Sequence, residues 1–368
     1  PKNTLARKAS LEIGMLYFNI GETEKAKQAY KQVIAKYKGS DEARSAFESL
    51  EALHVETNDV PAFLEYCKTL GKSYATSVSN DKGDSLSFIA AERVYAKEDY
   101  SNAITTLKQY LQQYCVSNTS KNCITARYYL ASSYYNLEKF DEALKEYKDV
   151  ASIDGNKYVE ESLIRAAEIT YNKKQYKTSQ DFFRKLLDAA SNVENRNIAR
   201  LGVLRCSHFQ NDYQTTISIA NEILLGDVTS EELEGEARYN RAKAYIATNQ
   251  TKEAEEDLRF LSKDLMHEMG SEAKYLLAQY LFDVKNLDES ENEIFDFIEK
   301  NTPYQFWLAR CFVLLADIYV EKGDDFQAKQ YLLSLRDNYK VQDDIQNLIA
   351  DRLEKIEKRE KQNTENEK

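Results

Sequence analysis

The chain is short of the residues that make turns. It holds 11 glycines and 3 prolines in 368 residues, against about 26 and about 18 at average usage. Folds rich in strands need such residues at every tight turn, so an all-β or finely mixed architecture is excluded. Histidine is scarcer still, at 3 copies far apart in sequence, His54, His208 and His267. A histidine metal centre or a histidine proton relay is not expected. No uncharged apolar run approaches the roughly 20 residues that a membrane-spanning helix needs. Positive charge is also in deficit. A net charge of -11 disfavours a protein that grips phosphate backbones or an anionic lipid surface. What remains is ample for a core: 42% of residues are apolar, 30% are charged, and tyrosine reaches 26 copies. Such a chain is too apolar to be disordered. It reads as almost wholly helical.

Self-comparison organises the chain. Small residues that follow an aromatic or polar turn recur at Ala26, Ala62, Ala103, Ala143, Ser179, Thr216, Ala254, Ser290 and Ala328. The spacings run 36, 41, 40, 36, 37, 38, 36 and 38. Each unit reads as two helices. In the fourth, Leu130, Ala131 and Tyr134 share a face of one helix; Ala143, Tyr147 and Val150 form a stripe on the next. Two helices approach closely only where side chains are small, which gives the recurring Ala its reason.

These residues resemble the tetratricopeptide repeat (TPR), which pairs a small residue and Tyr in its first helix with Ala and an aromatic in its second. Ile13, Gly14, Tyr17, Ala26, Tyr30 and Val33 carry the pattern in the first unit, and Leu315, Ala316, Tyr319, Ala328 and Leu332 in the ninth. The period is longer than the family's 34. The stretch from Ala29 to Ala43 is similar to the degenerate repeats of bacterial extracytoplasmic proteins. The resemblance implies an all-α, right-handed α-solenoid of about nine helix-turn-helix repeats. These fall near 1–38, 43–76, 84–117, 124–156, 158–193, 197–226, 231–266, 271–302 and 304–340, so that the solenoid fills 1–342. Ile345, Leu348, Ile349, Leu353 and Ile356 continue at helical spacing, which predicts a capping helix over 343–361 and a frayed tail over 362–368. Irregular joints are expected at Ser77–Asp84 and at Cys115–Cys123.

No phosphate loop, nucleophile elbow or paired-histidine helix motif occurs, so neither an enzyme, a cofactor nor a metal is expected. Cys67, Cys206 and Cys311 lie in apolar helical surroundings and read as small core residues. Cys115 and Cys123 bracket a polar loop. They either close a disulfide in an oxidising compartment or stand as two thiols.

In this family the first helices line the binding groove. The resemblance therefore implies a partner-binding surface at Phe47, Phe88, Glu92, Tyr95, Tyr128, Tyr135, Asn136, Glu168, Tyr171 and Asn172. This surface is aromatic and acidic, with Glu51 adding to it. Further along, Arg205, His208, Tyr239, Lys243, Tyr275, Gln279 and Phe282 predict a groove that gains positive charge. The implied partner is a protein or extended peptide, not nucleic acid, and a homodimer is left open. A structural or self-assembling arm of a longer protein is the alternative. The implied compartment is extracytoplasmic, in the periplasm.

Overall fold

A computed structural model describes residues 2–71, 79–116, 120–226 and 230–366. Part of the expected joint at Ser77–Asp84 and the centre of the Cys115–Cys123 loop lie outside the described residues. The chain divides into two compact units, Pro1–Lys173 and Lys174–Lys368. The first holds α1 (Lys2–Asn19), α2 (Thr23–Lys36), α3 (Asp41–Glu56), α4 (Val60–Thr69), α5 (Asn80–Ala96), α6 (Tyr100–Tyr114), α7 (Cys123–Asn136), α8 (Phe140–Ala151) and α9 (Val159–Asn172). The second holds α10 (Tyr176–Ala189), α11 (Val193–Phe209), α12 (Tyr213–Leu225), α13 (Glu231–Ala247), α14 (Thr251–Leu261), α15 (Glu268–Asp283), α16 (Leu287–Glu299), α17 (Gln305–Glu321), α18 (Asp325–Asn338) and α19 (Asp344–Asn366). No strand occurs among the described residues. Within each unit every helix packs on its sequence neighbours, and several first helices also pack on the next first helix. This is an all-α solenoid, in which each hairpin buries its apolar face on its neighbours.

One turn recurs inside every repeat. Gly21, Asn58, Glu98, Glu138, Lys174, Asn211, Asn249, Lys285 and Gly323 all take positive φ, between 54° and 83°. At seven of the nine the amide of the following residue donates to a carbonyl five residues back, as Lys139 does to Tyr134 at 2.9 Å and Asn286 to Leu281 at 2.9 Å. That bond closes the helix end and reverses the chain. The scarcity of glycine has its counterpart here, because Glu and Lys are held in a left-handed conformation that L-residues avoid. Glu138→Gly is therefore expected to stabilise the protein by about 0.5–1 kcal/mol. Thermal denaturation followed by circular dichroism checks this; a lowered midpoint would mean that Glu138 is not strained.

The turn sets the register of the small residues. Ala26, Ala103, Ala143, Ser179, Thr216, Ala254, Ser290 and Ala328 each lie five residues after it, and each is fully buried. At two of the three positions where serine or threonine replaces alanine, the hydroxyl is satisfied within the hairpin. Ser290 Oγ donates to the Ala278 carbonyl at 2.7 Å, and Thr216 Oγ1 donates to Ser207 Oγ at 2.9 Å. The expected anchor at Ala62 is wrong. Ala62 is exposed, and the residue five after Asn58 is Phe63, which is 1% exposed. With Phe63 as anchor the first two spacings become 37 and 40 in place of 36 and 41. A large ring takes the small position, and Glu51 takes the facing place that Ala91 and Ala131 fill in the next repeats. Both substitutions hid the true register.

The expected cap is present. Ile345, Ile349, Leu353 and Ile356 bury against a cluster from α17 and α18. The helix runs to Asn366, five residues past its expected end. Cys115 and Cys123 are joined by a disulfide, with Cα atoms 5.7 Å apart. Cys67, Cys206 and Cys311 are buried free thiols, and burial pushes the Cys67 thiol up to about 11.

Candidate functional site

In the first unit, α5, α7 and α9 each present a stripe at i, i+4 and i+7 on the first-helix face. The stripes end in Tyr95, Tyr135 and Tyr171, each three residues before the reversing turn at Glu98, Glu138 and Lys174. All three rings are half-buried. Asn136 and Asn172 follow them and are exposed.

The rings are held by neighbours. Tyr95 stacks on Tyr129 with centroids 4.3 Å apart, and its hydroxyl meets Ser132 Oγ at 3.0 Å. Tyr128 stacks on Tyr158 at 4.1 Å. Burial, with Glu161 nearby, pushes the Tyr128 hydroxyl up to about 12. Burial and the neighbouring Tyr158 and Glu92 raise Tyr129 as well. Both rings thus remain neutral donors at any physiological pH. Tyr129 donates to Glu92 Oε1 at 3.1 Å. The Arg165 guanidinium lies over the Tyr135 ring at 5.2 Å and pairs with Glu161 at 2.8 Å and Glu168 at 3.0 Å. The Asn136 amide donates to the Ser132 carbonyl of its own helix at 2.8 Å.

Two expected groove residues belong to the core instead. Phe47 is 7% exposed and packs on Phe63 at 5.3 Å; Phe88 is 9% exposed and packs on Tyr110 at 5.6 Å. Their places at the start of the stripe turn toward the second helix of their own hairpin, where an aromatic ring is drawn out of water. The acidic surface is also milder than its composition suggested. Glu51 is engaged by Lys82 at 2.5 Å, Glu92 by Tyr129 and Glu168 by Arg165. Tyr129, Tyr158 and Arg165 were missed. For Tyr129 the signal is a separation just under one repeat: it lies 37 residues after Glu92, as Ser132 lies 37 after Tyr95.

The expected positive face of the second unit is likewise spent on internal pairs. Arg205 makes two hydrogen bonds to Glu236, at 2.5 and 2.7 Å. Tyr239 donates to Glu272 at 2.6 Å, and Lys243 pairs with the same carboxylate. Burial, then Lys243, lowers the pKa of His208, against the pull of Glu272. Tyr275 donates to Gln279 at 3.3 Å, and Gln279 donates to Asp283 at 2.9 Å. The Phe282 ring carries the Lys285 ammonium 5.4 Å from its centroid. Among the described residues no three His, Cys, Asp or Glu side chains gather as a metal-ligand set. No helix among them is long and apolar enough to cross a membrane.

Helical hairpins with a shared turn, a small-residue contact and neighbour-on-neighbour packing define a protein of the helical-repeat class. The comparisons give the family. Models of the tetratricopeptide repeat match residues 8–40, 125–154 and 305–340, and a second such model matches 239–312. Over those residues the chain carries tetratricopeptide repeats, and a degenerate tetratricopeptide solenoid fits the whole. It is similar in fold to the C-terminal part of a TPR repeat-containing protein from Cytophaga hutchinsonii, with 14% identity and a TM-score of 0.50 over 71% of this chain and 98% of that one. A tetratricopeptide repeat protein from Parabacteroides merdae matches 73% of this chain and 98% of its own, at 14% identity and a TM-score of 0.39. A signal transduction ATPase from Pyrococcus horikoshii with a tetratricopeptide repeat sensor matches 84% of this chain and 52% of its own, at 18% identity and 0.46. None of the curated proteins matches. Tetratricopeptide repeats generally mediate protein–protein interaction and are generally non-catalytic.

Proposed function

We propose that the chain is a binding scaffold whose first-helix face over α5, α7 and α9 receives an extended segment of a partner protein. The observation that carries this reading is the repetition of Tyr95, Tyr135 and Tyr171 at one position of three successive first helices, each half-buried. A ring already fixed by stacking loses little freedom on binding, so it adds contact area at low entropic cost. The exposed Asn136 and Asn172 offer amide groups to a peptide backbone beside those rings. Three acidic residues of α9, Glu160, Glu161 and Glu168, outnumber its Arg165. The segment therefore carries Lys or Arg among apolar residues, and its binding weakens as salt rises. Phe47, Phe88 and Tyr128 serve this surface by supporting it from beneath. The Cys115–Cys123 bridge supports an oxidising, extracytoplasmic compartment.

The test is crosslinking from the Tyr95 position in the native cell, followed by synthesis of the captured segment as a peptide. The Tyr95→Ala, Tyr135→Ala double variant should keep its helical circular dichroism and bind that peptide at least about tenfold more weakly. Unchanged affinity would move the binding surface elsewhere.

A further inference from the structure

A small cleft of about 150 Å³ lies between α17, α18 and α19. Ala316, Leu332 and Ile356 form its floor and are 0%, 0% and 1% exposed, with the half-buried Val320 beside them. All four belong to the apolar cluster that seats α19. The rest of the lining is polar, with Arg352, Lys355 and Arg359 from α19 and Asp317 from α17. The three cations share one face of α19 with Ile356, because the four residues fall at i, i+3, i+4 and i+7.

The turn-based register shows how a cationic cleft arises in a chain of net charge -11. Asp317 lies six residues before Gly323, the place of Arg205 before Asn211 and of Lys243 before Asn249. At the two earlier places a cation pairs with a carboxylate of the next first helix, Arg205 with Glu236 and Lys243 with Glu272. Against α19 the signs are exchanged. Asp317 accepts from Nε and Nη2 of Arg352, both at 3.3 Å. The lining thus holds three cations and one carboxylate. Asp351 pairs with Arg352 at 3.2 Å and with Lys355 at 2.8 Å, and Asp325 pairs with Arg359 at 3.5 Å, but neither acid lines the cleft. The long Arg359 contact leaves a planar donor fork that a ligand carboxylate can engage at closer range.

We infer that this cleft binds a small monocarboxylate with a compact apolar body, the carboxylate toward Lys355 and Arg359 and the body on Val320, Leu332 and Ile356. Size sets the class. A cavity of this volume holds about one benzene ring, so the body is a ring or branched chain of about six carbons rather than a long acyl chain. Charge sets the head group. Asp317 on the wall repels a dianion more than a monoanion, which favours a carboxylate over a phosphate. This site lies within the second unit and does not depend on the Tyr95 face.

Benzoate is the probe, with benzamide as its uncharged counterpart. In the whole chain with labelled methyl groups, benzoate should shift the resonances of Val320, Leu332 and Ile356 and leave those of Ile89 in place. The shifts should saturate with a dissociation constant of about 1 mM or lower. Benzamide should bind about tenfold more weakly, because it lacks the charge that strengthens the hydrogen bonds. The Lys355→Gln, Arg359→Gln double variant should weaken benzoate about fivefold, as expected for two partly exposed cations. Val320→Phe fills the cleft and should abolish the benzoate shifts of Leu332 and Ile356. Circular dichroism should show wild-type helix content in both variants, since all three replaced side chains are at least partly exposed. The absence of saturable shifts up to about 20 mM benzoate would overturn the proposal. So would equal binding of benzamide, or benzoate binding unmoved by either variant.

Discussion

Replacing Gly270 with alanine is expected to destabilise the second unit by about 3 kcal/mol. Gly270 sits near the start of α15, where the preceding connection crosses the helix. A Cβ there would lie 1.8 Å from the Asp264 carbonyl oxygen and 2.8 Å from the Leu261 carbonyl oxygen. Both are backbone atoms, so no side-chain rotation relieves the clash. The connection cannot retreat cheaply either. The Leu265 carbonyl accepts from Ser271 Oγ at 3.1 Å and from Thr302 Oγ1 at 2.9 Å, and the Leu265 side chain is 4% exposed. The same change at Gly235, in α13, meets nothing within 4 Å. It should stabilise by about 0.5–1 kcal/mol, the usual gain of alanine over glycine inside a helix. Urea denaturation of the two variants side by side checks the opposite signs. Equal effects would show that the close approach at Gly270 does not constrain the fold.

Gly270 also shows where the sequence stops being informative. Period, hairpin and cap are local: they follow from spacing of apolar and small residues along one helix, and Ala103, Ala143 and Ala254 are buried as their places predict. The glycine's role arises from a connection folded back over the helix, which no periodicity reports. The reversing turn was hidden for another reason. A left-handed residue is sought by looking for glycine, yet seven of the nine turn positions are Asn, Glu or Lys. Once those positions are known, they fix the register better than the small residues do, and they move the second anchor from Ala62 to Phe63.

The candidate site was partly legible. Tyr95, Tyr135 and Tyr171 follow from helical spacing once the family resemblance makes the first helices the groove lining. Phe47 and Phe88 lie on the same stripe but are buried, because at mid-helix the face packs on the second helix of its own hairpin, at Phe63 and Tyr110, while the last turn looks outward. Which carboxylates remain to act on a partner depends on contacts one repeat away. Glu92 with Tyr129 and Arg205 with Glu236 are examples, at separations of 37 and 31 residues. Pairs of polar residues separated by slightly less than one period are therefore the feature to seek in a chain of this kind.

The second large effect is expected at Asp257, whose side chain is fully buried in α14. Its Oδ1 accepts from Arg238 at 3.0 Å and from Arg241 at 2.7 Å, and its Oδ2 accepts from Arg241 at 2.7 Å. Arg241 also donates to Asn221 of α12 at 2.5 Å, and the Arg238 guanidinium lies 4.3 Å from the centroid of Phe260. One carboxylate thus organises cations that join α12, α13 and α14. Its removal leaves two guanidinium groups, 17% and 16% exposed, without their shared counter-ion. Glu234, at 2.8 Å from Arg238, compensates only one of them. Asp257→Ala should therefore cost about 3–5 kcal/mol, the range for breaking a buried pair from one side. Replacing Arg241 with leucine in the same chain should recover part of that loss, because the unpaired charge is removed with its partner. In a solenoid the damage stays near its origin. Amide hydrogen exchange should thus accelerate across α13 and α14 while α17 to α19 keep their protection. Uniform acceleration over the second unit would mean that Asp257 supports the whole unit rather than its own interface.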